Sequence, residues 1–201
     1  MKTIVIIDYG LGNLRSVFRG IERCGGVPVI SSDIEALRSA EAVILPGVGA
    51  FRDGMEQLGE MKDALLDAAR SVPVLGICLG MQMMLEWSEE HGMHRGLCLV
   101  PGKVRRFPRK PGFKVPHMGW NTLELMQPDN PLLDGFSGGE YVYFVHSYYV
   151  ETLPEFSLAT TDYISQFSSA ICRDNAYGVQ FHPEKSGAVG LGILKNFIGL
   201  I

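Results

Sequence analysis

Long apolar runs are missing from this 201-residue sequence. The N-terminal run Ile4-Val-Ile-Ile7 stops at Asp8, too short for a secretory signal or a membrane span. A surplus of either charge is missing as well. Eighteen basic residues against 22 acidic ones give −4, which argues against nucleic acid or an anionic membrane as the main partner. Cysteine is scarce: the four, at positions 24, 78, 98 and 172, form no C-x-x-C pair and no dense framework. A reducing compartment, and so a cytoplasmic location, is the expectation. There is no internal repeat, low-complexity tract or linker, so residues 1–201 are expected to form one domain. A chain of that length buries about 70% of its unfolded surface.

Several tempting signals also fall short. Gly10-Leu-Gly12 follows an apolar run, but the third glycine of a dinucleotide fingerprint would fall at Arg15. His91 and His94 have no further ligand residues clustered with them, so no metal site is expected. The basic run Lys103 to Lys110 reads as a solvated edge and is left unassigned. Cys24, Cys98 and Cys172 lack any special setting and are expected to pack as small apolar residues.

What the sequence does have is centred on Val72-Pro-Val-Leu-Gly-Ile-Cys-Leu-Gly-Met-Gln82. The apolar run to Ile77 reads as a buried strand, and a helix is expected from Met81 to about Ser88. Gly76 and Gly80 stand two residues either side of Cys78, the spacing a sharp strand-to-helix turn requires. Such a turn lifts the cysteine clear of the sheet beside the first helical N–H groups, which favour the nucleophilic thiolate.

A second constellation is Tyr177-Gly-Val-Gln-Phe-His-Pro-Glu184. Pro183 restricts His182 to extended backbone, and residues two apart in an extended segment share a side, so Glu184 is expected against His182. A histidine held by a carboxylate is the base a cysteine nucleophile needs. The third element is Pro46-Gly-Val-Gly49 at the end of another predicted strand. Gly47, Val48 and Gly49, with the N–H of Leu79, are candidate donors to a developing oxyanion.

The first half of the chain alternates strands (3–8, 27–30, 42–45, 72–77) with helices (13–24, 33–38, and 55–70 broken near Gly59). Parallel strands with right-handed crossovers follow from that alternation. From Gly96 to Gln180 short β-like runs separated by Pro and Gly predict added hairpins, and a helix from about Ala188 closes the fold.

These residues resemble the class I (triad) glutamine amidotransferases. Asp8–Ser16, Pro46–Phe51, Pro116–Asn121, Tyr143–Tyr148 and Gly178–Ser186 are similar, in order, to the glutaminase subunits of imidazole glycerol phosphate synthase. The resemblance implies an α/β fold with a mostly parallel, flavodoxin-like sheet, flanking helices and antiparallel hairpins. It implies a Cys78–His182–Glu184 triad that hydrolyses L-glutamine through a γ-glutamyl thioester, with Gly47, Val48 and Gly49 as the oxyanion strand. Gln82, Ser147 and Tyr148 would hold the substrate's amino-acid end. Asn13, Trp120 and Tyr143 would face a cyclase partner, a (β/α)-barrel that receives the ammonia in histidine biosynthesis. No cofactor is implied. Two rivals stay open: a cysteine peptidase or subunit of another synthase, and a non-catalytic module that regulates its partner.

Overall fold

The computed structural model describes residues 2–201. Strands and helices alternate first: β1 (Thr3–Ile7), α1 (Leu14–Arg23), β2 (Val27–Ser31), α2 (Ile34–Arg38), β3 (Ala42–Leu45), α3 (Phe51–Leu58), α4 (Met61–Ala68), β4 (Val74–Ile77) and α5 (Leu79–Met83). Short strands follow: β5 (Trp87–Ser88), β6 (His94–Arg95), β7 (Lys103–Arg106), β8 (His117–Thr122), β9 (Glu124–Leu125), β10 (Tyr141–His146) and β11 (Tyr148–Glu151). Then come β12 (Ser157–Asp162), β13 (Gln166–Arg173), β14 (Ala176–Val179) and the closing helix α6 (Gly187–Gly199).

The order β2-β1-β3-β4-β14 is parallel throughout, the flavodoxin-like arrangement. β14 returns from the far end of the chain to lie beside β4, pairing Val179 with Ile77. Beyond β14 the sheet turns antiparallel through β13, β11 and β7. Separately, β8 and β10 pair antiparallel in a two-stranded sheet of their own.

Alternation along the parallel strands divides the core. Ile4, Ile6, Ile44 and Leu75 face α1 and α6, where Val17, Ile21, Leu194 and Phe197 meet them. Val5, Ile7, Val43 and Leu45 face the other side with Leu37, Leu58 and Leu65. Strands buried on both faces read as continuous apolar runs, which is why β1, β3 and β4 carry almost no polar residue.

Some expected boundaries shift. α3 begins at Phe51, four residues before the expected start, and a break at Gly59 (φ 45°) does separate it from α4. The elbow helix is only five residues long and ends at Met83, because Trp87–Ser88 is taken into the sheet by β6 and β7. Among the described residues no helix is long and apolar enough to cross a membrane.

Candidate active site

Cys78 stands where β4 becomes α5, with φ 54° and ψ −107°. A non-glycine residue held there stores strain of about 1–3 kcal/mol, which only dense surroundings sustain. The two glycines provide that density. A Cβ on Gly76 would lie 2.7 Å from the Gly80 carbonyl carbon and the Met81 nitrogen, and one on Gly80 would collide with the Leu45 carbonyl oxygen. The Cys78 N–H donates to the Val179 carbonyl at 2.8 Å, tying the turn to the end of β14.

Three residues past that end lies His182. Its Nδ1 is 2.9 Å from Glu184 Oε1, and both side chains are buried. The expected contact is there, but its local cause differs: Pro183–Lys185 form a 3-10 turn rather than extended chain. Ser186 fixes that turn, its hydroxyl donating to the His182 carbonyl at 2.7 Å and accepting from the Tyr143 N–H at 2.9 Å. The His182 N–H donates to the Tyr143 carbonyl at 2.9 Å, so β10 anchors the base on both sides.

A cavity of about 440 Å³ brings the two segments together. Its wall includes Cys78, His182, Leu79, Val48 and Gly49, with Gln82, Ser147 and Tyr148. His182 Nε2 has no hydrogen-bond partner at bonding geometry. Burial works against a charge on this ring, but the nearby Cys78 sulfur and the hydrogen-bonded Glu184 carboxylate outweigh it and raise the His182 pKa to about 9. This is a base poised to hold a proton next to sulfur.

Not every expected residue lines the cavity. Gly47 is buried beneath the loop, where a Cβ would meet Leu79 Cβ and the Tyr9 hydroxyl at 2.8 Å; its part is close packing. Val48 is 41% exposed, and Gly49 has φ 103° with open space about its Cα. Asn13, expected at a partner face, donates from Nδ2 toward Glu184 Oε1 at 3.5 Å, placing it behind the triad. Trp120 and Tyr143 meet edge to face at 6.1 Å across β8 and β10, and with exposed Met118 and Tyr141 they form an apolar patch. Cys98 is exposed rather than packed. His94 Nε2 lies 3.4 Å from the His91 carbonyl, and among the described residues no group of three His, Cys, Asp or Glu side chains could hold a metal. In the basic run, Lys103 and Arg105 pair with Glu151 at the surface.

Four features had no clear signal in the sequence. Tyr9 donates from its hydroxyl to the Pro46 carbonyl at 2.6 Å, pinning the base of the Gly47–Gly49 loop; burial, and the sulfur of Cys78, push its phenol well above the ordinary value. Among the described residues Glu90 is the one carboxylate lining the cavity, and it accepts from the Phe51 N–H at 2.7 Å. Gln180, fully buried two residues before His182, donates from Nε2 to Cys78 Sγ at 3.6 Å. His117 and His146, both buried, lie 3.0 Å apart between Nδ1 and Nε2.

Comparison with known proteins gives the family of the chain. The family described as glutamine amidotransferase class-I matches residues 5–200. The chain is 52% identical to the imidazole glycerol phosphate synthase subunit HisH of Methanosarcina barkeri, over all of both chains. It is 48% identical to the subunit of the same name from Archaeoglobus fulgidus, over 98% of each. In fold it is similar to the structure of PurLQS from Thermotoga maritima, with TM-score 0.77 at 17% identity over 98% of both chains. A glutamine amidotransferase from Thermotoga maritima superposes with TM-score 0.66 at 17% identity, over 98% of this chain and 96% of that one.

Proposed function

Because this chain belongs to the class I glutamine amidotransferases, among the HisH subunits of imidazole glycerol phosphate synthase, we propose that Cys78, His182 and Glu184 are its glutaminase triad. The observation that carries this reading is the shared cavity: a sulfur on a strained turn, facing an imidazole whose far nitrogen is 2.9 Å from a buried carboxylate.

Cys78 Sγ, its proton already held on His182 Nε2, attacks the side-chain carbonyl carbon of L-glutamine as the thiolate. The C–N bond breaks, His182 returns the proton to the leaving nitrogen, and ammonia departs, leaving a γ-glutamyl thioester. His182 then takes a proton from water, hydroxide adds to the thioester, and glutamate leaves as the sulfur departs as thiolate beside the protonated ring. Glu184 orients the ring and supports its charge, with Asn13 behind it. The N–H of Leu79 and the Val48–Gly49 loop serve the developing oxyanion.

Substrate polarity fits the wall. Glu90 is the carboxylate available to an α-ammonium group. Both amide protons of Gln82 are engaged, toward the Tyr148 carbonyl and Gln180 Oε1, each at 3.0 Å, so its own oxygen remains as an acceptor for the substrate. Ser147 and Tyr148 bound the same end. The Met118–Trp120–Tyr141 patch supports docking of the cyclase subunit, since an exposed apolar cluster of this kind marks an interaction surface. Passage of ammonia across that interface would keep it unprotonated and away from bulk water.

Glutamine hydrolysis, measured with and without the cyclase subunit, tests the reading. The expected result is strong stimulation by the partner and its loss in Cys78→Ala. Equal rates with and without partner would remove the coupling, and full activity in Cys78→Ala would remove the mechanism.

A further inference from the structure

The orientations of Gln82, Gln180, His146 and His117 behind the cavity follow from one backbone oxygen. The Tyr148 carbonyl can only accept, and two side chains reach it: His146 Nδ1 at 2.7 Å and Gln82 Nε2 at 3.0 Å. The first contact puts the His146 proton on Nδ1 and leaves Nε2 bare. His117 Nδ1, 3.0 Å from that nitrogen, must therefore carry a proton, and His117 Nε2 accepts from Asn121 Nδ2 at 3.3 Å. The second contact fixes Gln82 with its NH₂ inward. The atom of Gln180 lying 3.0 Å from that NH₂ is then its oxygen, so its own NH₂ points at Cys78 Sγ, 3.6 Å away.

We propose that Gln180 is a positioning residue for the nucleophile: its amide N–H holds the Cys78 sulfur and stabilises the thiolate, in an orientation imposed through Gln82 by the Tyr148 carbonyl. The inference rests on the glutaminase reading only in giving the thiolate a reaction to perform. The arrangement is directional. A flipped Gln180 amide would set two NH₂ groups against each other and present an oxygen to a sulfur anion, and a fully buried side chain has no water to relieve either clash. The remaining titratable groups about the sulfur are His182 and Tyr9, with His146, Tyr148 and Glu90 along the cavity wall. Of these His182 bears the charge that favours the anion, and Gln180 adds a neutral donor on the protein side. The Val145 carbonyl, 4.0 Å from Sγ, can only accept and serves the neutral thiol.

The test uses the full chain without partner or substrate, so its outcome is separate from that of glutamine turnover. Gln180→Met keeps the volume and removes the donor. Two readouts are compared with wild type at one neutral pH. One is the ultraviolet absorbance of the thiolate, referenced to Cys78→Ala. The other is alkylation of Cys78 by iodoacetamide, followed by mass spectrometry with exposed Cys98 as internal standard. The expected result is a clear fall in thiolate absorbance and alkylation of Cys78 slowed about tenfold, with Cys98 unchanged. Unchanged absorbance, with alkylation equal to or faster than wild type in a folded variant, would overturn the proposal. If Gln180→Met does not fold, Gln82→Met frees the Gln180 amide to turn. It should slow Cys78 by about threefold, and an unaltered rate there would overturn the proposal equally.

Discussion

His182 and the His117–His146 pair are buried almost alike, at 2%, 3% and 6% exposure, and both His182 and His146 line one cavity. Their proton affinities part in opposite directions. Burial lowers His117 to about 4 and His146 to about 3 from an ordinary 6.5. His182 suffers the same desolvation but is raised to about 9. The difference lies in the company. His182 has a carboxylate 2.9 Å from one nitrogen and a sulfur near the other. The pair has a carbonyl, an amide and each other, which a neutral ring satisfies with one donor and one acceptor. Depth of burial does not decide charge; the partners do. In the proposed mechanism one region carries a proton in transit, while the other keeps its protons fixed.

The largest effect expected from disturbing this contrast comes from His182→Asn in the complex with the cyclase. Glutamine turnover should fall by about 10⁴-fold or more, because base and acid disappear together. A residual rate within tenfold of wild type would mean that His182 is no more a proton carrier than the pair. Glu184→Gln comes next. It keeps the shape but removes the carboxylate that charges the ring, and kcat should fall by about one to two orders of magnitude less than in His182→Asn. A loss as large as that of His182→Asn would make Glu184 more than a support.

Third is stability against pH, read from urea unfolding. For His117 and His146 the unfolded chain binds protons that the folded chain refuses. The stability they contribute is present above about pH 6.5 and is lost as the pH falls toward 4. For His182 the folded chain holds its proton longer. That contribution is complete below about pH 6.5 and fades as the pH rises through about 9. Between pH 7 and 5 a loss on the order of 2 kcal/mol per ring, about 4 kcal/mol for the pair, is expected. Stability unchanged over that interval would show that these rings are not held neutral.

Which of these residues a reader could find in the sequence follows from how local their contacts are. Cys78 announces itself because its setting is made by Gly76 and Gly80, two positions away on each side. His182 and Glu184 are equally close, and their contact survives even though a 3-10 turn replaces the extended chain expected there. The alternation of β1 to β4 with helices is a periodic signal and gives the parallel half. By contrast, the insertion of β14 beside β4, and the withdrawal of β8 and β10 into their own sheet, depend on pairings far apart in the chain. Gln180, Glu90, Asn13 and the His117–His146 pair acquire roles only through such pairings. Gln180 lies two residues from the base, yet nothing in the spacing says that it meets a sulfur 102 positions away.

The central claim, that Cys78 is the nucleophile that takes up glutamine, is tested most directly by covalent capture. The complex with the cyclase is treated with an electrophilic glutamine analogue and the adduct is located by peptide mass spectrometry. The account predicts a single adduct on Cys78, suppressed by excess glutamine. An adduct on exposed Cys98 that glutamine does not suppress, with Cys78 unmodified, would contradict it.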